Sequence, residues 1–153
     1  MSLWSLDCPV PEALEALANH LGAVQFEAKA RNHKIYCDQP LEDGGFDEGM
    51  TPPEFLLAAL GTCAGFYAVQ YMKANKLKAE GLSVRTTAEK ATAPARLSEI
   101  HVAVEYPGAL ETRDRQGMLQ AVHKCLIHNT LLHSPKIEVD IQTAQGTPIP
   151  AAA

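Results

Sequence analysis

Between Glu54 and Lys73 the chain runs for eighteen residues without a formal charge. Phe55, Leu56, Leu57, Leu60, Phe66, Tyr67, Val69 and Met72 fall on every side of a helix drawn through this run. Such a helix has no polar face to offer water, so it belongs inside protein or inside a membrane. A single span needs ~20 predominantly apolar residues, and this run is interrupted by Gly61, Thr62, Gly65 and Gln70. A buried central helix is therefore the expectation. A chain of 153 residues suits one domain, and one domain of that size has little material with which to wrap the helix. A second copy of the chain would complete the cover, which predicts a homodimer.

The flanking segments set the fold class. From Pro11 to His20, Leu14, Leu17, Ala18 and then Leu21 recur at helical spacing, with Pro11 in the first turn and Gly22 as a stop. This predicts an N-terminal helical extension over residues 1–24, ahead of a domain core at about 25–141. Gln25 to Asp38 alternates and predicts one or two strands with a turn at Asn32-His33. Gln39 to Pro53 collects Pro40, Gly44, Gly45, Gly49, Pro52 and Pro53, a long loop of the kind that often carries function. Gly81 to Ala88 and Ile100 to Tyr106 alternate as half-buried antiparallel strands joined around Pro94. Thr112 to about Leu132 reads as one helix, with Met118, Leu119, Val122 and Leu126 along a face. Ile137, Val139 and Ile141 alternate as a last strand, and 144–153 reads as a frayed tail. Strands and helices segregate rather than alternate, which is the pattern of an α+β fold with antiparallel sheets.

Composition narrows the function classes. The net charge of −5 supplies no basic face for nucleic acid. Four cysteines are too few for a disulfide-stapled secreted scaffold. No charged segment followed by an apolar one opens the chain as a secretory signal would, so a reducing cytoplasm is the expected compartment. The cysteines are Cys8, Cys37, Cys63 and Cys125, and no C-x-x-C occurs among them. A free cysteine commonly does no more than fill space in a core. Spacing alone does not decide whether Cys63 and Cys125 meet. His123, Cys125, His128 and His133 invite a zinc reading, but on one helix His123 and His128 are five apart and share no face. No metal or cofactor is expected, and no Walker loop, dinucleotide fingerprint or nucleophile-elbow serine is present.

The local sequences around two cysteines carry more. Gly44-Gly45-Phe46-Asp47-Glu48-Gly49, the run from Pro52-Pro53-Glu54-Phe55-Leu56-Leu57 to Ala58-Ala59-Leu60-Gly61-Thr62-Cys63, and His123-Lys124-Cys125-Leu126-Ile127-His128-Asn129 resemble the OsmC/Ohr family of thiol-dependent peroxidases. Asp38-Gln39-Pro40 resembles a strand end of its YhfA-like branch. The resemblance spans roughly Gln25 to Ile141. It implies an intertwined homodimer with antiparallel sheets packed around the central helix, acting as a hydroperoxide reductase. In that chemistry a Cys63 thiolate takes an oxygen from the peroxide and becomes a sulfenic acid, and Cys125 condenses with it to a disulfide. An external dithiol or thiol restores the pair by exchange. A buried thiol drifts up in pKa, so the thiolate needs a partner; the resemblance assigns that part to Arg31, whose guanidinium stays charged when buried. The implied partners are a hydroperoxide, a thiol reductant and a second copy, with neither nucleic acid nor membrane.

Two positions depart from the family pattern. The glutamate that helps place the arginine is shifted by one residue, so that Glu54 takes it here, nine residues before Cys63; in a continuous helix that is roughly 13.5 Å of rise. Such a carboxylate can equally complement the helix dipole at the first turn. Leu126 also stands where a proline commonly follows the second cysteine. An alternative reading follows, a non-catalytic OsmC-like dimer that binds a small molecule or partner.

Overall fold

The computed structural model describes residues 14–143 and the backbone of residues 149–150. It is an α+β protein whose sheets are antiparallel. Its contacts divide it into two compact units, one up to Ala58 and one from Ala59.

The first unit is built on a three-stranded meander of β1 (Leu17–Gly22), β2 (Gln25–Ala30) and β3 (His33–Cys37). The helix expected over Pro11 to His20 is not what its described part forms. Leu17 pairs with Lys29 and His20 with Phe26, so β1 is the outer strand of a hairpin. Leu14, Leu17 and Leu21 are exposed. The apolar stripe of a helix would have had nothing to cover it, whereas the hairpin satisfies the backbone against β2. The remainder of the expected extension lies outside the described residues.

Asp38 follows β3 directly, and its side chain is fully buried. Its carboxylate accepts from the backbone N–H of Gln39 (2.8 Å), Phe46 (3.0 Å) and Glu48 (3.2 Å), and from Gln25 Nε2 (3.4 Å). Burial of the carboxylate acts to raise its pKa, but these donors outweigh it and hold Asp38 below the ordinary aspartate range. The loop is thereby wound around one acceptor. It includes a short 3-10 turn at Leu41–Asp43 and closes where Cys37 bridges Met50. Gly45 is buried here, and a Cβ on it would run into the Gln39 carbonyl.

Helix α1 (Pro52–Ala74) is the uncharged run. Thr51 precedes it, and the Glu54 carboxylate accepts from the Thr51 N–H (2.7 Å) and hydroxyl (2.8 Å). The carboxylate reaching back to the Thr51 N–H is one half of a capping box and marks where the helix starts. Burial follows one stripe, Leu60, Ala64, Ala68 and Met72, with Gly61 beside it. The helix is therefore not covered on all sides within one chain: Leu56, Ala59 and Phe66 remain exposed.

In the second unit the stripe packs on a long hairpin of β4 (Ser83–Thr92) and β5 (Ala95–Glu105), longer than the sequence pattern predicts. Val84 and Thr86 meet α1 at Gly65 and Gly61. Ala68, Met72 and Met118 form the core, flanked by Leu82, Val104, Leu110 and Val122. Tyr71 ties α1 to the next helix by donating to Asp114 Oδ1 (3.0 Å). The expected single helix from Thr112 to Leu132 is two, α2 (Thr112–Val122) and α3 (Leu126–Leu132). The chain breaks at Cys125, which is extended at ψ 126°.

The expected last strand is also shorter. Only Asp140–Ile141 (β6) is paired, with Ile149–Pro150 (β7), while Ile137 and Val139 lie exposed ahead of it. The rest of the expected tail falls outside the described residues.

Candidate functional site

Helix α1 carries Cys63 two residues beyond the point where Gly61 lets it close on β4. A Cβ at Gly61 would lie 2.8 Å from Thr86 Oγ1, closer than a methyl group tolerates. Cys63 is half-buried. The break between α2 and α3 brings Cys125 close enough for the Cys63 sulfur to act directly on its thiol, and both are free. Spacing left this meeting open, and the fold resolves it. Sixty-two residues apart in sequence, the sulfurs are neighbours within the second unit.

The break has a local cause. As the N-cap of α3, Cys125 accepts the backbone N–H of His128 on its sulfur at 3.4 Å. A sulfur thus takes the place usually filled by a Ser, Thr, Asp or Asn oxygen. No Gly or Pro signals the interruption, and for that reason the pattern reads as continuous.

Cys125 is fully buried. Burial pushes its thiol up, the neighbouring Cys63 sulfur adds to this, and the donors from His128 and Ile127 only partly offset it. Cys125 accordingly stays a thiol at neutral pH and has an S–H to donate towards Cys63. Tyr67 stands four residues after Cys63 on α1 and is half-buried. Burial raises the Tyr67 phenol first, and the Cys63 and Cys125 sulfurs raise it further. Its ring meets Phe66 edge-on with centroids 5.3 Å apart. In the sequence Tyr67 is one of the apolar residues on every side of the helix; the i, i+4 spacing from Cys63 is the signal that singles it out.

The remaining expected site residues belong to the first unit. Arg31 is not within a strand. It occupies the turn between β2 and β3, exposed, in the left-handed region at φ 53°. Glu54 is engaged with Thr51 at the start of α1. Cys37 is half-buried at the end of β3; burial, then the charge on Asp38, push its thiol up, which suits an unreactive packing role. Cys8 lies outside the described residues.

One premise of the metal argument changes. Because α2 and α3 are separate, His123 and His128 do come together, with ring centroids 5.4 Å apart. Among the described residues no group of three or more His, Cys, Asp or Glu side chains gathers as metal ligands would.

The comparisons bear on the whole arrangement. A family model described as OsmC-like protein matches residues 45–140, a span that includes both cysteine segments. The chain belongs to the OsmC-like family. No curated protein matches it. Among solved structures, a protein of Psychrobacter arcticus provisionally assigned to the osmotic stress and detoxification response is 20% identical, with a TM-score of 0.70 over 75% of this chain and 85% of that one. An OsmC-like protein of Mycoplasma pneumoniae is 22% identical, with a TM-score of 0.66 over 80% and 89% of the two chains. An organic hydroperoxide resistance protein of Elizabethkingia anophelis is 19% identical, with a TM-score of 0.61 over 80% and 89%. At these identities the likeness is one of fold.

Proposed function

We propose that this protein is a cysteine-based hydroperoxide reductase of the OsmC/Ohr type. The observation that carries the reading is the nearness of two free thiols, one half-buried, the other sealed and kept protonated by burial and by its neighbour. That asymmetry matches a division of labour. The Cys63 thiolate attacks the terminal oxygen of a hydroperoxide, the O–O bond breaks, and the departing alkoxide takes a proton to leave as an alcohol. Cys63 is then a sulfenic acid. Cys125 attacks that sulfur, the hydroxyl leaves as water, and a Cys63–Cys125 disulfide remains. Two equivalents of an external thiol, or one dithiol, return both cysteines to the reduced state.

The supporting cation is Arg31, in keeping with the family resemblance of its segment. Glu54 has a defined part in setting the first turn of α1, which fixes the helix that presents Cys63. The exposed apolar side of α1 and the uncovered Ile137–Ile141 segment favour a homodimer, and the acidic, cysteine-poor composition favours the cytoplasm.

The test is peroxide treatment followed by mass spectrometry. The expected product is a single disulfide joining Cys63 to Cys125, and Cys63→Ser abolishes peroxide consumption. Wild-type protein that keeps all its thiols in excess organic hydroperoxide at neutral pH would instead support the non-catalytic, ligand-binding reading.

A further inference from the structure

Peroxide reduction leaves an alkoxide, and the family chemistry set out above does not say which group on this chain meets it. In an α-helix the side chains lean towards the N-terminus, so a residue covers the turn before its own Cα. Tyr67 therefore leans back over Cys63, four positions earlier, where residues on one face have Cβ atoms about 5–6 Å apart. The edge-on contact with Phe66 limits how far the ring swings. The phenol makes no hydrogen bond to any described residue, and it is half-buried rather than sealed. An unengaged O–H thus stands near both sulfurs, and like Cys63 it is only half-buried.

We propose that the Tyr67 hydroxyl is the hydrogen-bond donor to the departing oxygen when the Cys63 thiolate cleaves a hydroperoxide. This rests on the peroxidase reading above and deepens it. The atoms balance without a further reactant: the S–O bond forms as the O–O bond breaks, the electron pair passes to the alkoxide, and that alkoxide accepts a hydrogen bond from Tyr67 and its proton finally from water. The other nearby donor, the Cys125 S–H, remains available for the second step. The raised ionisation of the phenol is consistent with this role, since it remains a donor at neutral pH.

The experiment compares wild type and Tyr67→Phe in the reduced state. Three single-turnover rates are read: thiol loss with tert-butyl hydroperoxide, thiol loss with peracetic acid, and alkylation of Cys63 by iodoacetamide. Losing one hydrogen bond to a developing charge predicts a fall of about 10-fold to 100-fold with the alkyl hydroperoxide. Peracetic acid expels a carboxylate that needs little help, so its rate falls much less. Alkylation has no departing oxygen and stays within about twofold, which also reports that the variant is folded and Cys63 unaltered. Equal losses in all three rates, or no loss with the alkyl hydroperoxide, overturn the inference. Wild-type protein inert to both peroxides overturns the peroxidase reading and this inference with it; a reactive wild type with an unaffected variant overturns the role of Tyr67 alone.

Discussion

The backbone N–H of His128 donates to the sulfur of Cys125, so one residue both pairs with Cys63 and caps α3. Stability and redox chemistry are therefore separable at this position. Cys125→Ala removes the side-chain acceptor at the cap and leaves a part-buried N–H short of a partner, at a cost of about 1 kcal/mol. Cys125→Ser keeps an acceptor and is expected to be the more stable of the two. Chemical denaturation of the reduced proteins checks the order. Neither variant can form the proposed disulfide, so a difference between them in stability alone isolates the cap.

Asp38 makes the loop after β3 sensitive to acid. Its carboxylate, pushed up by burial but held down more strongly by N–H donors, ionises more readily in the folded chain than in the unfolded one. The stabilisation it gives is fully present above the unfolded pKa and disappears as pH falls through the lower, folded pKa. Glu27, half-buried and held down mainly by Lys29, and Glu105, exposed and held down mainly by Arg85, act in the same direction. Denaturation midpoints measured from neutral pH downward should fall on the acid side. Asp38→Asn, whose amide offers one oxygen and turns a donor towards donors, should be less stable at neutral pH and show a shallower acid limb. An unchanged acid limb in that variant would remove Asp38 as the group responsible.

The elements that sequence made legible each have a partner to match their pattern. The uncharged run became α1 and two alternating runs became β4 and β5 around a shared core, while β2 and β3 are set by backbone pairing although β3 stays largely exposed. Leu14, Leu17, Ala18 and Leu21 mislead for the opposite reason. Their spacing is helical, but no core receives them, and pairing with Gln25–Ala30 decides the backbone instead. The break at Cys125 is invisible because a sulfur cap has no compositional signature. Asp38-Gln39-Pro40 stands out as a family-like triplet, yet nothing local says that its carboxylate would organise ten following residues. At the site, both cysteines were legible from their flanking residues, whereas their contact depends on the tertiary fold.

Gly61 is a steric requirement for the way α1 approaches β4. A Cβ there would stand 2.8 Å from Thr86 Oγ1, an atom that is buried and has no hydrogen-bond partner. Gly61→Ala should destabilise the fold by about 1–3 kcal/mol, despite alanine's higher helix propensity. Thr86→Ala removes both the obstacle and the unpartnered hydroxyl. The double variant should therefore recover most of the loss, a coupling that a double-mutant cycle by urea unfolding measures. Additive effects would show that α1 shifts to accommodate the methyl group without reference to Thr86.

Ile137, Val139 and Ile141 are 79%, 64% and 71% exposed and recur at every second residue, so an extended chain points them to one side. Phe66 on α1 is 50% exposed as well. Apolar residues left bare on an extended segment and on a helix face mark a surface covered from elsewhere, and a second copy supplies the cover under the proposed dimer. Sedimentation equilibrium should give twice the mass of one chain at micromolar concentration. Val139→Lys replaces a side chain worth about 1.5–3 kcal/mol of burial in each copy, which raises the dissociation constant at least about tenfold. If the dimer also completes the surroundings of Cys63, peroxide consumption per chain falls on dilution, and falls sooner in the lysine variant. A protein that sediments as a single chain while retaining full activity would leave the peroxidase chemistry standing and remove the second copy from it.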